Sequence, residues 1–276
     1  MHFRANHLFR VSRSLIVPLL ALIVSTGCGS SNFSASQPAP SVTDIEAKNN
    51  ALTSTPRVLL FVGTGTSSGD VASVKTMLGT LKLTYATATS SQLNGMSVSA
   101  LTKYKLLVVP GGNAITISKY LSSTAKTNVR SAILNNGLHY LGLCAGAFFA
   151  GHSGVYHYLN LTPTGVWFNY YADKFKGISK ESVLIRGANG KQLDQYWENG
   201  PQLTGFGKTV GKYPDGTPAI TEGYVGKGWV ILCAVHPEAP QSWRTGMSFS
   251  TSVAVDNAYA QTLITYALNG YSLPHF

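Results

Sequence analysis

The chain has 276 residues, of which 44% are hydrophobic and only 12% charged, and its formal net charge is +10. A nucleic-acid surface needs a clustered basic patch, and because the sequence has no dense run of Lys or Arg, we expect no nucleic-acid partner. With the N-terminal 55 residues set aside, about 220 remain, which is enough for one domain with a sizeable core.

The first 27 residues have the composition of an export signal. Three arginines precede the apolar stretch 15–24, which is too short to span a bilayer comfortably. These arginines are Arg4, Arg10 and Arg13. Gly27, directly before Cys28, resembles the processing site of bacterial lipoproteins, where cleavage leaves an acylated N-terminal cysteine. An ordinary secretory signal is the alternative, and both alternatives predict export.

Acylation of Cys28 would anchor the protein to a membrane through its lipid chains. Gly29 stands where Asp would indicate the inner membrane, so a lipoprotein in the outer membrane, facing the periplasm, is favoured; the cell surface is the other possible location. Residues 28–55 are rich in Ser, Ala, Pro, Thr and Asn, which indicates a flexible tether. We therefore predict a signal peptide over 1–27, a tether over 28–55 and one domain over 56–276.

In the first half of the domain, apolar runs alternate with helical patterns. The apolar runs predict buried strands over 57–62, 83–87, 105–109 and 138–143. The helical patterns predict a helix capped by Asp70, and further helices over 114–121, 123–135 and 145–150. This alternation predicts an α/β fold with a mostly parallel sheet and helices on both faces. Sites in such sheets lie beyond the carboxyl ends of the strands.

The second half of the domain has a different pattern. Short runs rich in β-branched and aromatic residues predict strands over 166–171, 182–185, 192–197, 209–212, 219–224 and 229–235. The turns between them predict an added antiparallel hairpin region, with 229–235 returning to the main sheet. A helix over 252–268 is predicted to close the domain.

Cys144 is the strongest candidate for a catalytic residue. It follows a predicted buried strand in Gly142-Leu143-Cys144-Ala145-Gly146, and a helix is predicted directly after it. A strand that ends in Gly-x-nucleophile-x-Gly makes a sharp turn with the nucleophile at its tip. Because export leads to an oxidising compartment, a disulfide between Cys144 and Cys233 is the structural alternative.

The sequence also offers a base and an orienting carboxylate for this thiol. His236 is a candidate to take the thiol proton and later return it to the leaving group. Glu238, two residues further on, is a candidate to orient the imidazole and stabilise its charged form. A histidine with a purely structural role is the alternative for His236.

Acyl transfer also needs hydrogen-bond donors for the developing oxyanion. The backbone N–H of Ala145 is one candidate, and the turn Gly111-Gly112-Asn113 is the other. This turn after a strand can equally be a simple chain reversal. In the loop 63–69, Ser67 and Ser68 are candidates to bind substrate, and a plain helix-capping loop is the alternative.

Several aromatic residues can either line a pocket or pack the added strands. They are Trp167, Tyr170, Tyr171, Tyr196 and Trp197. No group of His, Cys, Asp and Glu has metal-ligand spacing along the sequence, so we expect no metal and no cofactor.

The motifs VVPGGN, YLGLCAGAFFAG and GKGWVILCAVHPE together resemble the class I glutamine amidotransferase-like family, whose fold is flavodoxin-like. Within it, the chain is similar to the N-terminal domain of biotin-protein ligases, a domain that also occurs alone in bacteria. The resemblance covers roughly residues 57–240 and implies a catalytic triad of Cys144, His236 and Glu238. Members that use glutamine carry Gln or His four residues after the nucleophile, where this sequence has Phe148.

Two functions are consistent with these observations. The first is an exported, lipid-anchored cysteine amidase or hydrolase that forms a covalent acyl-enzyme on a small-molecule or peptide-like amide. The second is a binding or regulatory module of the same fold, with weak turnover or none. No feature of the sequence identifies a protein partner.

Overall fold

The computed structural model describes residues 56–162 and 179–276. Within them, nine strands form one mixed sheet in the order β2-β1-β3-β4-β9-β8-β7-β5-β6. The first five strands of this order are parallel, and the remaining pairs are antiparallel. The predicted strand over 166–171 lies outside the described residues, as do Cys28, Trp167, Tyr170 and Tyr171.

The parallel half has the order of a flavodoxin-like sheet, 2-1-3-4-5, with β9 in the fifth place. Its strands are β1 (Val58–Phe61), β2 (Tyr85–Ala88), β3 (Leu106–Val109), β4 (His139–Leu143) and β9 (Gly228–Cys233). β1, β3, β4 and β9 are buried along their whole length. Continuous apolar runs arise because helices cover both faces of such strands, and the predicted α/β class is confirmed.

Seven α-helices occur in the described part of the chain. They are α1 (Ser68–Thr80), α2 (Ser90–Asn94), α3 (Val98–Leu101), α4 (Ala114–Tyr120), α5 (Ser123–Asn136), α6 (Ala145–Ala150) and α7 (Val253–Asn269). The sequence did not predict α2 and α3, because four or five residues are too few to display helical periodicity. None of the helices in residues 56–162 and 179–276 is long and apolar enough to cross a membrane.

The start of α1 corrects one prediction. Asp70 is not the cap of this helix; it lies at the third helical position, and Ser67 is the N-cap, accepting a hydrogen bond from the Asp70 backbone N–H. Ser and Asp both favour helix N-termini, so composition alone does not separate them. The shift matters because it directs the Asp70 carboxylate towards the carboxyl ends of the strands.

The hairpin region extends the parallel sheet and does not form a separate layer. Its strands are β5 (Lys180–Gly187), β6 (Gln192–Glu198), β7 (Lys208–Lys212) and β8 (Pro218–Val225). The antiparallel pairing of β8 with β9 joins the two halves, and β9 pairs in parallel with β4 on its other edge. Because β9 belongs to both halves, it carries the residues that follow it to the end of β4.

Candidate active site

Cys144 occupies a sharp turn between β4 and α6. Its backbone has φ 45° and ψ −100°, a region that side chains with a Cβ rarely adopt. Its N–H donates to the carbonyl oxygen of Cys233, 2.8 Å away, which ties the end of β4 to the end of β9. Strained backbone of this kind persists only where the surroundings enforce it, and it clusters at functional sites.

The glycines on either side of Cys144 are required by close packing. A Cβ on Gly142 would lie 2.5 Å from the Gly146 carbonyl oxygen. A Cβ on Gly146 would lie 2.0 Å from the carbonyl oxygen of Val109, the last residue of β3. The spacing Gly-x-Cys-x-Gly therefore has the steric cause expected from the sequence, because only glycine lets α6 pack this closely on β3 and β4.

His236 is held beside this turn by the neighbouring strands. Its backbone N–H donates to the carbonyl oxygen of Tyr196 at 2.8 Å, which links the loop after β9 to β6. Its Nδ1 lies 3.0 Å from Oε1 of Glu238 in a buried hydrogen bond. The charge of Cys144 acts on the His236 imidazole, so the two side chains lie close to each other. The structure thus brings Cys144, His236 and Glu238 together, as the sequence suggested.

Asp70 is a fourth member of this cluster, and sequence reasoning missed it. Its Oδ1 lies 3.0 Å from the same Nδ1 of His236, and only 5% of the residue is exposed. The acid sits in the first turn of α1, directly after the loop that follows β1, so it too extends from the carboxyl ends of the strands. An acidic residue just beyond that loop was the available signal, but it was assigned to helix capping.

The ionisation of the cluster follows from burial and mutual contacts. Burial favours neutral imidazole, yet interactions with the charges of Cys144, Glu238 and Asp70 outweigh it and raise the pKa of His236 well above its ordinary value. Burial also opposes ionisation of Asp70, but contact with His236 outweighs it and lowers that pKa. For Glu238 burial dominates and raises the pKa. The cluster therefore favours an imidazolium beside an ionised Asp70.

Aromatic rings enclose the imidazole. The rings of Tyr196 and Trp243 each lie edge-on to His236, with ring centres 5.7 Å away. Tyr196 also donates from its hydroxyl to Oε2 of Glu198 at 2.7 Å, and the Glu198 carbonyl oxygen accepts a hydrogen bond from the Cys144 thiol at 3.4 Å. Tyr196 thus lies at the site, as one of the two sequence interpretations suggested.

Trp197, the other described aromatic residue of that set, belongs to the core. It is buried, and its indole N–H donates to the carbonyl oxygen of Gly200. Successive residues of a strand point to opposite faces of the sheet, so Tyr196 and Trp197 have different surroundings despite being adjacent. Glu198, at the end of β6, covers the sulfur of Cys144. Only 5% of Cys144 is exposed.

The predicted oxyanion donors lie in two turns at the strand ends. Ala145 is the first residue of α6, where a backbone N–H has no partner within its own helix. Gly112 has φ 139°, and a Cβ there would lie 2.2 Å from the Gly65 carbonyl oxygen, so this position requires glycine. The Gly111 carbonyl oxygen accepts from the Ser67 N–H at 3.0 Å, which fixes the loop after β1 against the loop after β3.

Two predicted polar residues act as helix caps in the structure. The Asn113 side chain accepts from the Thr116 N–H at 2.9 Å and caps α4. Ser67 caps α1 in the same way, and Ser68, the first residue of that helix, is exposed. The contact between the Ser67 side chain and the Asp70 N–H therefore supports the helix-capping alternative for Ser67.

Cys233 is a buried core residue and is not bonded to Cys144, since both cysteines are free. Its thiol donates to the Val235 carbonyl oxygen at 3.3 Å, and burial raises its pKa. The disulfide alternative is therefore absent from this structure. Within the described ranges, one group of side chains has ligand atoms close enough to hold a metal: Asp70, His236 and Glu238, all within 4.8 Å of one another.

Comparisons with known proteins bear on the family and the fold of the chain. Residues 56–164 match the family model described as "Biotin-protein ligase, N terminal". A solved structure of a glutamine amidotransferase matches with a TM-score of 0.52 and 18% identity, covering 78% of this chain and 99% of that one. A glutamine amido transferase from Methylobacillus flagellatus matches with a TM-score of 0.47 and 9% identity, covering 80% and 97%. Among curated proteins, none matches the sequence.

These comparisons confirm the family resemblance and the fold. The family model accounts for the region from β1 to just beyond α6, which includes Cys144. The match to the first glutamine amidotransferase extends over most of the chain and, at its low identity, shows the fold alone. The chemistry of the site has to be argued from its own residues.

Proposed function

We propose that this protein is a cysteine amidase or hydrolase in which Cys144 is the nucleophile, His236 the base and Glu238 an orienting carboxylate. One observation carries the proposal: a thiol in a strained strand-to-helix turn lies beside an imidazole whose Nδ1 is 3.0 Å from a buried carboxylate. Such an arrangement supplies what covalent acyl transfer by a thiol requires.

The reaction starts from the ion pair that forms when the Cys144 proton passes to His236. The thiolate attacks the carbonyl carbon of an amide, and the oxyanion that forms accepts hydrogen bonds from backbone N–H groups. Ala145 and Gly112 are the donors we assign. His236 then gives its proton to the leaving nitrogen, and the C–N bond breaks to leave a thioester on Cys144.

Hydrolysis of the thioester completes the cycle. His236, now neutral, takes a proton from a water molecule, whose oxygen attacks the thioester carbonyl. Collapse of the second tetrahedral intermediate expels the Cys144 thiolate and releases a carboxylic acid. The proton held by His236 restores the ion pair with Cys144, so the enzyme returns to its starting state without a cofactor.

Reactivity of Cys144 towards an alkylating agent tests the triad. Iodoacetamide should label Cys144 stoichiometrically, and C144A defines any background from Cys28 and Cys233. We expect H236A to slow the labelling about tenfold or more, because the thiolate loses its counter-ion. H152A, which changes an exposed histidine, is the matched control. Equal labelling rates in H236A and H152A would refute the assignment of His236 as base.

Turnover needs a separate measurement. A panel of amides, esters and peptidoglycan-derived fragments should include at least one substrate whose acid product forms with wild-type protein and not with C144A. A trapped thioester on Cys144, detected by mass spectrometry, would identify the acyl group.

The second candidate function is a binding module that uses the same cleft with little turnover. Two observations favour it: the end of β6 covers the Cys144 sulfur, and Phe148 packs against the core where glutamine-using relatives have a polar side chain. Ligands that bind equally well to wild-type protein and C144A, without product formation across the panel, would support this function over catalysis.

We also propose that the protein is exported and anchored to a membrane through acylated Cys28, with residues 28–55 as a tether. Support comes from the sequence alone: a basic leader, an apolar stretch and Gly27 before Cys28. Labelled palmitate should be incorporated into the full-length chain and be lost in C28A. Incorporation that persists in C28A would contradict lipidation at this position.

A further inference from the structure

Two carboxylates face a single nitrogen of His236. Oε1 of Glu238 and Oδ1 of Asp70 each lie 3.0 Å from Nδ1. Only the contact with Glu238 has hydrogen-bond geometry, and Asp70 Oδ1 has no hydrogen-bond partner among the described residues. The ring N–H therefore points to Glu238, and Asp70 interacts with the ring through its charge.

A charged imidazole stabilises this arrangement. Asp70 and Glu238 are 5% and 1% exposed, so water does not compensate either of them. A buried carboxylate oxygen without a partner is costly, and two carboxylates side by side repel each other. An imidazolium between them reduces both penalties, because each carboxylate then meets a positive charge at contact distance.

Asp70 is also prevented from turning away. Its backbone N–H is fixed by Ser67 at the start of α1. On the other side, Gly111 packs against it so closely that a Cβ there would lie 2.1 Å from Asp70 Oδ1 and 2.7 Å from Cε1 of His236. The loop after β3 is thus shaped to leave room for the contact between Asp70 and His236.

We propose that Asp70 is a second positioning carboxylate, which acts with Glu238 to keep His236 charged and Cys144 in its thiolate form. This inference rests on the proposed function, because it gives Asp70 a role in activating the same nucleophile. The titratable groups that face His236 come from five elements: Asp70 in α1, Cys144 after β4, Tyr196 in β6, Cys233 in β9 and Glu238 in the loop beyond it.

The rate of Cys144 alkylation near neutral pH tests this role. Removal of the carboxylate beside the imidazole makes imidazolium less stable, so the neutral thiol and imidazole gain population at the expense of the ion pair. In D70N we expect labelling of Cys144 near neutral pH to be about tenfold slower than in wild-type protein. D215N, in the turn between β7 and β8, makes the same change away from the site and should leave the labelling rate unchanged.

A second measurement separates this effect from loss of structure. The ¹⁵N signals of the His236 ring should report loss of its charge at lower pH in D70N than in wild-type protein. The thermal unfolding curves of D70N and D215N establish whether each variant is folded. G111A, which forces Asp70 and His236 apart without removing a charged group, should change the labelling rate and the His236 midpoint in the same directions as D70N.

The outcomes are distinguishable from failure of the proposed function. If H236A leaves labelling unchanged, the proposed function itself fails. If H236A slows labelling but folded D70N has the wild-type labelling rate and His236 midpoint, Asp70 has no such role. Stoichiometric binding of Zn²⁺ by wild-type protein that is lost in D70N would also overturn the proposal, because Asp70 would then be a metal ligand.

Discussion

The backbone N–H of Cys144 is bonded to the carbonyl oxygen of Cys233, 2.8 Å away. This bond continues the parallel pairing of β4 with β9, in which Leu143 lies opposite Cys233. His236 follows Cys233 closely in the chain, so the pairing sets the position of the imidazole relative to the thiol. The proposed chemistry therefore depends on the register of two neighbouring strands.

The packing of Gly146 on β3 predicts a severe effect of a single methyl group. In G146A the new Cβ would meet the Val109 carbonyl oxygen at 2.0 Å, so the turn must move. We expect a loss of about 1–3 kcal/mol in the free energy of unfolding and slower alkylation of Cys144. Urea denaturation and labelling rates measure the two effects.

Gly79 in α1 provides the control for that experiment. A Cβ at this position meets nothing within 4 Å, and the residue lies near the end of a helix. G79A should therefore stabilise the protein by up to about 1 kcal/mol, since alanine favours helix and restricts the unfolded chain. Similar losses of stability in G79A and G146A would contradict the steric argument.

The backbone of Cys144 predicts an unusual order of stability. At most positions glycine destabilises relative to alanine, but φ 45° is unfavourable for any residue with a Cβ. We expect the free energy of unfolding of C144G to be about 1 kcal/mol higher than that of C144A, because glycine relieves the strain. Urea denaturation of the two variants decides this, and a more stable C144A would indicate that the turn is not strained.

The raised pKa of His236 predicts how stability changes with pH. A group whose pKa is higher in the folded protein contributes stability that is fully present below its unfolded value, near 6.5, and is lost as pH rises through the folded value. The melting temperature of wild-type protein should therefore fall as pH rises above neutrality, and H236Q should show a smaller fall. The melting temperature of H152Q should follow that of the wild type at each pH. If H236Q also shows the wild-type fall in melting temperature, His236 is not the cause of that fall.

Asn113 allows capping and substrate binding to be separated. Its side chain caps α4, so N113A should lower the free energy of unfolding by about 1 kcal/mol, while N113D should keep most of the cap. If capping is its only role, both variants should label at Cys144 at the wild-type rate. Markedly slower labelling in the folded N113D would instead place Asn113 in the proposed chemistry.

Features that depend on local pattern were predictable from the sequence. Buried parallel strands appear as continuous apolar runs, and β1, β3 and β4 were expected within one or two residues of their observed bounds. The turn at Cys144 was recognised because tight packing restricts its neighbours to glycine. His236 and Glu238 could be assigned together because they are separated by a single residue.

The tertiary structure alone decided which distant residues meet. Asp70 and His236 are far apart in the sequence, and no spacing rule relates the first turn of α1 to the loop beyond β9. The continuation of one sheet through β8, β7, β5 and β6 likewise depends on which edge each hairpin finds. Local sequence determines which segments form strands, helices and sharp turns, because backbone conformation is governed by near neighbours. The surroundings of His236, and with them its charge, arise only when separate strand ends are packed together and water is excluded.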